Sequence, residues 1–275
     1  LYRPNIAVIS GIAWDHINVF PTFENYVEQF KIFADSMSRG GILVYNEEDP
    51  TVKQVAEEAT APTRKHAYTT AAYSVENGKT LLETPEGPMP IEIFGAHNLN
   101  NLAGAKWICQ HMGVDEDEFY EAISTFKGAS KRLEKITENN NAVVYKDYAH
   151  SPSKVSATTK AVKNQYPDRK LVACLELHTY SSLNAEFLDQ YEGALDAADK
   201  AIVFYSPDAV QIKQLDEVKA EQINEAFKRD DLVIFTNPAD FKTYLYAQDF
   251  KDSVLLLMSS GNYGGLDFNE LKSVI

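Results

Sequence analysis

The chain has 275 residues, 44% of them hydrophobic and 11% aromatic, and a formal net charge of −14. This profile fits a globular protein of about two domains. The acidic balance excludes a broad phosphate-backbone surface, and so nucleic acid as a partner, but leaves room for one phosphate pocket built from backbone N–H groups and an Arg. The longest apolar run, Val254–Met258, has strand length and excludes a membrane span.

The two cysteines, Cys109 and Cys174, are too few for a disulfide framework or a cysteine zinc cluster, and fit a reducing, cytoplasmic compartment. The chain begins Leu1-Tyr2-Arg3-Pro4, without Met or a signal-peptide pattern, so Leu1 reads as a cut end. Short apolar strands then alternate with amphipathic helical segments, the pattern of α/β architecture. Asn5–Ile12 reads as a buried strand. Thr22–Met37 places Phe23, Tyr26, Val27, Phe30, Ala34 and Met37 on one helical face. Gly40-Gly41 ends that helix and Ile42–Tyr45 is the next strand. Pro50 opens a helix through Ala59. Tyr73–Phe94, broken at Asn77-Gly78 and Glu86-Gly87, predicts antiparallel strands with tight turns. Asn98–Met112 and Asp115–Thr125 predict two helices.

After Arg132 the alternation is cleaner. Strands are expected at Ala142–Tyr145, Lys170–Leu175, Ala201–Phe204, Leu232–Phe235 and Val254–Met258. Helices fall between them at about Ser153–Asn164, Glu186–Ala198, Asp216–Arg229 and Ala239–Gln248, with a last one from Asp267. Strand–helix units at this spacing form a parallel sheet with right-handed crossovers. The polar stretch Lys135–Asn141 lies near a seam, which places the domain boundary at about residue 133 and divides the chain into 1–133 and 134–275.

Several short motifs carry candidate chemistry, each with a plainer reading beside it. Asp15-His16 follows the first strand, where open α/β sheets place ligands, so His16 is a candidate metal ligand; a strand-end histidine capping backbone groups is the alternative. In Gly95-Ala96-His97-Asn98-Leu99-Asn100-Asn101, the amides of Asn98 and Asn101 share one face at a helix start and suit a flat heterocycle such as adenine, or simply cap the helix. Arg132 has the forked guanidinium that matches phosphate oxygens, or is one half of a solvated Lys131-Arg132 pair.

Asp147, in Lys146-Asp147-Tyr148-Ala149-His150-Ser151-Pro152, can accept ribose hydroxyls or serve the electrostatics of the helix that Pro152 starts. The hydroxyl-rich stretch Glu176–Ser182 follows a strand and suits a polar substrate or a solvated loop. Ser259-Ser260-Gly261-Asn262-Tyr263-Gly264-Gly265 follows the last strand, and its glycines permit close backbone approach to an anion or make a tight turn. It is not GxGxxG, which weighs against a nicotinamide dehydrogenase.

Taken in order, Asp15-His16, the Gly95–Asn101 segment, Lys131-Arg132 and Asp147–Pro152 closely resemble the Mur ligase family, ATP-dependent amide-forming ligases that build the peptide stem of peptidoglycan. The resemblance runs over essentially the whole chain. It implies the latter part of a central ATPase domain followed by a Rossmann-like C-terminal domain with a mainly parallel sheet, the N-terminal part of the same polypeptide being absent. It also implies ATP and Mg2+ as cofactors. His16 would then belong to a magnesium site and act in catalysis; His97, Asn98 and Asn101 would hold adenine. Arg132 would contact the phosphates catalytically across the seam, with Asp147 on the ribose and His150 beside it. His178, Ser182, Ser260 and Asn262 would face the incoming amine.

Two features depart from the family's pattern. The GxxxxGK[ST] phosphate loop is absent, so the chain alone is expected to be inactive. Phe30 stands where several members carry a carbamoylated Lys, which resembles the branch acting on UDP-N-acetylmuramate itself. Within that branch, His178-Thr179-Tyr180-Ser181-Ser182 replaces the Thr-Arg-Thr-Arg-like stretch of the alanine-adding enzymes. The resemblance therefore implies joining of UDP-N-acetylmuramate to a murein tripeptide in cell-wall recycling. Addition of L-alanine is the alternative, and a non-catalytic nucleotide- or peptide-binding module a more remote one.

Overall fold

Ile42–Asn46 is buried at every position, as a strand flanked on both sides must be. In the computed structural model, which describes residues 2–216 and 218–273, this strand is the centre of the first of two units, Leu1–Lys127 and Gly128–Ile275. The first unit runs β1 (Ile6–Ile9), α1 (Phe23–Asp35), β2 (Ile42–Asn46), α2 (Pro50–Glu58) and β3 (Arg64–Tyr68), with the strands parallel in the order β1-β2-β3. The polar sequence of β3 hides it from a hydrophobicity reading; as an edge strand it does not need two apolar faces. β4 (Tyr73–Glu76), β5 (Lys79–Thr84) and β6 (Gly87–Ile91) form the expected antiparallel meander. Asn77 (φ 51°) and Gly78 (φ 73°) make its first turn. Then come α3 (Ala96–His111) and α4 (Glu116–Ser124).

Asp49 caps α2 by accepting the Thr51 and Val52 N–H groups on Oδ1, while Oδ2 takes the Ile12 N–H at 2.9 Å. One carboxylate thereby fixes a helix start and the loop leaving β1. Ala7, Ile9, Leu43 and Tyr45 of the sheet pack with Val52, Val55 and Ala56 of α2.

The second unit runs β7 (Glu134–Glu138), β8 (Ala142–Asp147), α5 (Pro152–Gln165), β9 (Lys170–Leu177), two short 3-10 turns, β10 (Lys200–Tyr205), α6 (Pro207–Ile212), α7 (Ala220–Phe227), β11 (Val233–Phe235), α8 (Pro238–Tyr246) and β12 (Ser253–Met258). Its six-stranded sheet has the order β11-β10-β9-β12-β8-β7, parallel except for the edge strand β7. β7 lies in the stretch read as a polar seam. The helix expected at Glu186–Ala198 is a 3-10 turn, Ala185–Tyr191, followed by Gly193 at φ 69°. The one expected over Asp216–Arg229 is α7 alone, with Glu217 outside the described residues, and the last one is a 3-10 turn at Glu270–Ser273. Leu1, read as a cut end, also lies outside them. The core joins Val144, Val172, Cys174, Phe204, Leu255 and Leu257 of the sheet to Phe241 and Tyr263.

The division between units falls ahead of the seam read from the sequence. Lys131 and Leu133 are tied by hydrogen bonds to Tyr148 and Asp147, and so belong to the second unit.

Candidate functional site

Parallel sheets bring the loops after their strands to one edge, and both units carry their polar motifs there. In the first unit the loop after β1 turns at His16, which has φ 57°. Asp15 is 6% exposed and accepts the His16 N–H on Oδ1 at 2.8 Å. The His16 side chain is 65% exposed, with Nε2 3.9 Å from Asp15 Oδ2. Among the described residues no group of three or more His, Cys, Asp or Glu could hold a metal ion. The His16 ring is left largely open to solvent, and Mg2+ is usually held by one or two protein groups together with phosphates and water. Phe30, at the position of interest for the subfamily, meets Tyr26 edge-on, with ring centroids 5.2 Å apart.

Gly95, at φ 89°, turns the chain into α3. Asn98 donates its side-chain amide to Phe94 O at 2.9 Å, His97 is half-buried and Asn101 is exposed. Asn100, between them, faces inward. It donates to Glu48 Oε2 at 3.2 Å and to Thr70 Oγ1 at 3.3 Å, and accepts the Tyr68 hydroxyl at 3.3 Å. Burial first, and the Glu48 charge second, push the Tyr68 phenol up to about 12. Sequence reasoning gave Asn100 no task of its own. Its signal was available, because Asn is a poor helix former inside a helix unless its amide has a task.

In the second unit the chain passes from β8 to β9 across the slot that β12 later fills, so β12 ends between them, with Met258 in register with both Asp147 and Leu175. Three loop starts converge at this switch point. Asp147 is 3% exposed; Oδ1 accepts the Ala149 N–H at 2.6 Å and Oδ2 the Leu133 N–H at 2.7 Å. Burial pushes its carboxyl up, against the pull of those two N–H groups and of the Arg132 and His150 charges. Each oxygen retains acceptor capacity, since a carboxylate offers about four lone-pair sites. Arg132 is exposed, with its guanidinium 5.6 Å from the Tyr148 ring centre. His150 is 7% exposed and donates through Nδ1 to Tyr148 O at 2.8 Å.

The loop after β9 contains His178, whose side chain is 42% exposed. Ser182, expected to face a substrate, is fully buried; its hydroxyl accepts the Thr179 N–H at 2.9 Å and donates to Thr179 O at 3.1 Å. In this structure it closes its own loop. After β12, Ser260 Oγ is buried without a hydrogen-bond partner among the described residues. Asn262 is exposed and accepts the Gly265 N–H on Oδ1 at 3.2 Å. Glu176, which opens the stretch read as suited to a polar substrate but was given no role of its own, links the two loops. It is 2% exposed and accepts the Ser259 hydroxyl and, at 2.8 Å, the Tyr263 N–H.

Residues 1–109 match the Mur ligase middle domain, and residues 131–261 match the family described as Mur ligase, glutamate ligase domain. The chain belongs to the Mur ligase family, whose members are ATP-dependent ligases of peptidoglycan synthesis. A protein of Caldicellulosiruptor bescii named UDP-N-acetylmuramate–L-alanine ligase is 27% identical over 288 residues, an alignment covering 100% of this chain and 62% of that protein. Among solved structures, a murein peptide ligase from Psychrobacter arcticus has a TM-score of 0.67 at 18% identity, covering 99% of this chain and 58% of that one. The MurF ligase of Thermotoga maritima in complex with ADP has a TM-score of 0.68 at 15% identity, covering 99% and 61%. At these identities the structural likeness shows the fold. The chain thus spans about three fifths of the length of these relatives.

Proposed function

We propose that the polypeptide carrying this chain is an ATP-dependent carbon–nitrogen ligase that joins UDP-N-acetylmuramate to an amine through an acyl phosphate. The observation that carries this reading is the convergence of Asp147, the Glu176–His178 loop and the Ser259–Asn262 loop at the switch point of a parallel sheet, in a Mur ligase chain. The lactyl carboxylate attacks the γ-phosphate of ATP and ADP departs; the amine then attacks the acyl carbon and phosphate leaves. Phosphoryl transfer of this kind depends on positioning and charge neutralisation.

His97, Asn98 and Asn101 are assigned to adenine, Asp147 to ribose through its remaining lone pairs, and Arg132 to phosphate, with His150 buttressing Tyr148 through its backbone carbonyl. His178, Ser260 and Asn262 are assigned to the amine side. Ser260 brings a hydroxyl that no described residue satisfies, and a buried unsatisfied hydroxyl is costly unless a ligand uses it. Magnesium is expected to accompany ATP, and His16 is the residue of this chain assigned to help hold it.

A murein tripeptide is the amine we favour, because the loop from Glu176 to Ser182 contains no Arg or Lys. L-alanine is the second reading, favoured by the curated relatives from Caldicellulosiruptor bescii, Arthrobacter and Ligilactobacillus salivarius, each named UDP-N-acetylmuramate–L-alanine ligase. ADP release by the full-length polypeptide with UDP-N-acetylmuramate and each amine separates them. Turnover with neither amine removes the ligase reading. The 275 residues alone, lacking a GxxxxGK[ST] loop, should not turn over.

A further inference from the structure

We propose that Glu176 is a positioning residue of the amine half-reaction: it holds the His178 imidazole with Nδ1–H toward its carboxylate, so that Nε2 takes the proton released by the incoming amine. This rests on the ligase reading above. Glu176 is the penultimate residue of the buried strand β9 and is 2% exposed, so its charge must be matched locally. Oε2 is occupied by the Ser259 hydroxyl and the Tyr263 N–H, while Oε1 lies 3.7 Å from His178 Nδ1. That spacing is longer than a hydrogen bond, as is common in catalytic pairs before substrate binds.

The loop after β12 holds the pair from the other side. A Cβ at Gly261 would lie 2.8 Å from Glu176 Oε2 and 3.0 Å from His178 Cγ. Only a residue without a side chain lets the loop pass there. Gly261 in turn donates its N–H to Ser259 Oγ at 2.6 Å, which closes the loop around the carboxylate. The His178 side chain is nevertheless 42% exposed. A ring with one nitrogen close to a buried carboxylate and partly open to solvent can exchange a proton at the other.

The chemistry needs such a group. An α-amine has a pKa of about 8 and arrives largely as ammonium. Its nitrogen lone pair, once free, forms the C–N bond, and the acyl C–O bond breaks with its electron pair leaving on phosphate. Of the two protons lost as ammonium becomes an amide N–H, one goes to the departing phosphate. The other goes to His178 Nε2 and then to water.

Two measurements test this. In the 275-residue chain, nitrogen-15 NMR of the His178 ring should show the Nδ1–H tautomer, and Glu176→Gln should shift it toward Nε2–H. An unchanged ring in Glu176→Gln overturns the positioning role. In the full-length polypeptide, Glu176→Gln and His178→Gln should each lower kcat by about 100-fold or more with the KM for ATP unchanged, and His178→Gln should abolish the acid limb of the kcat profile. His178 is partly exposed, so its Gln variant provides the decisive case should Glu176→Gln fail to fold. A His178→Gln variant that keeps the wild-type rate and acid limb overturns the proton-transfer role. Absence of ADP release by the wild type overturns the ligase reading and that role together, while the ring tautomer still decides whether Glu176 orients His178.

Discussion

Leu133 donates its backbone N–H to Asp147 Oδ2 at 2.7 Å while its own backbone sits at φ 45°. Lys131, at φ 59°, is in the same left-handed region and accepts the Tyr148 N–H at 2.8 Å. Side chains other than Gly enter this region at a cost, so the hydrogen bonds hold a strained segment in place. Arg132 lies between the two strained residues, so its backbone is carried by the segment they hold. The placement of a candidate phosphate contact therefore depends on a carboxylate 15 positions further along the sequence.

Asp147→Ala should leave the Leu133 and Ala149 N–H groups without their carboxylate and release the Arg132 segment. We expect a loss of about 2–4 kcal/mol, from two charge-assisted bonds at a buried site, read by urea unfolding. In the full-length polypeptide the same change, like Asn101→Ala, should raise the KM for ATP; an unchanged nucleotide dependence would remove either residue from the nucleotide site.

Gly104→Ala tests the packing of α3 on Tyr68 by its sign. Within a helix, Gly to Ala ordinarily stabilises by up to about 1 kcal/mol. Here a Cβ would lie 2.9 Å from the Tyr68 ring and hydroxyl, which the Asn100 amide fixes from one turn earlier. Destabilisation by about 1–3 kcal/mol is expected from the overpacking, and thermal unfolding of Gly104→Ala alone and with Tyr68→Ala reads it. Relief of the penalty in the double variant would attribute it to this contact.

Tyr263→Phe should weaken the second unit. The fully enclosed Tyr263 hydroxyl donates to Cys174 O and Met258 O, both at 2.8 Å, and its ring stacks on Phe241 at 12°. Burial keeps this phenol protonated, so its role is that of a donor. Loss of the donor with the ring retained should cost about 1–2 kcal/mol in chemical denaturation.

The first unit should lose stability on mild acidification. Burial, then the nearby His66 and Arg64 charges, hold the His111 imidazole below its usual range, although it ends α3, where a helix dipole favours a cation. Trp107 covers it, with ring centres 5.8 Å apart. Because folded His111 binds its proton less tightly than the unfolded chain does, the unfolded state gains protons first as pH falls through about 6.5. Stability should therefore decline from there downward until the folded value is passed. His111→Phe should flatten the dependence of the melting temperature on pH in this window.

Strand β2, helix α1 and the alternation of the second unit were legible because each buries an apolar face with its own period. β3 and β7 were not, since edge strands can satisfy their backbone while carrying Arg, Lys and Glu. The 3-10 segment at Ala185–Tyr191 escaped for another reason: its Phe187, Leu188 and Tyr191 are spaced as in an α-helix, and Gly193, at φ 69°, turns the chain just past its end.

The sequence by itself determined the family, through motifs whose order and spacing do not depend on packing. It also placed Asp147, His178 and Ser260 on loops after strands. Only the tertiary structure decided which of these loops meet. Met258 stands in register with Asp147 and Leu175 because β12 inserts between β8 and β9, a pairing that no local pattern specifies. That insertion brings Ser259 and Tyr263 onto Glu176, more than 80 residues away along the chain. It also makes Glu176, a carboxylate near the end of its strand, the point where two candidate substrate loops are fastened.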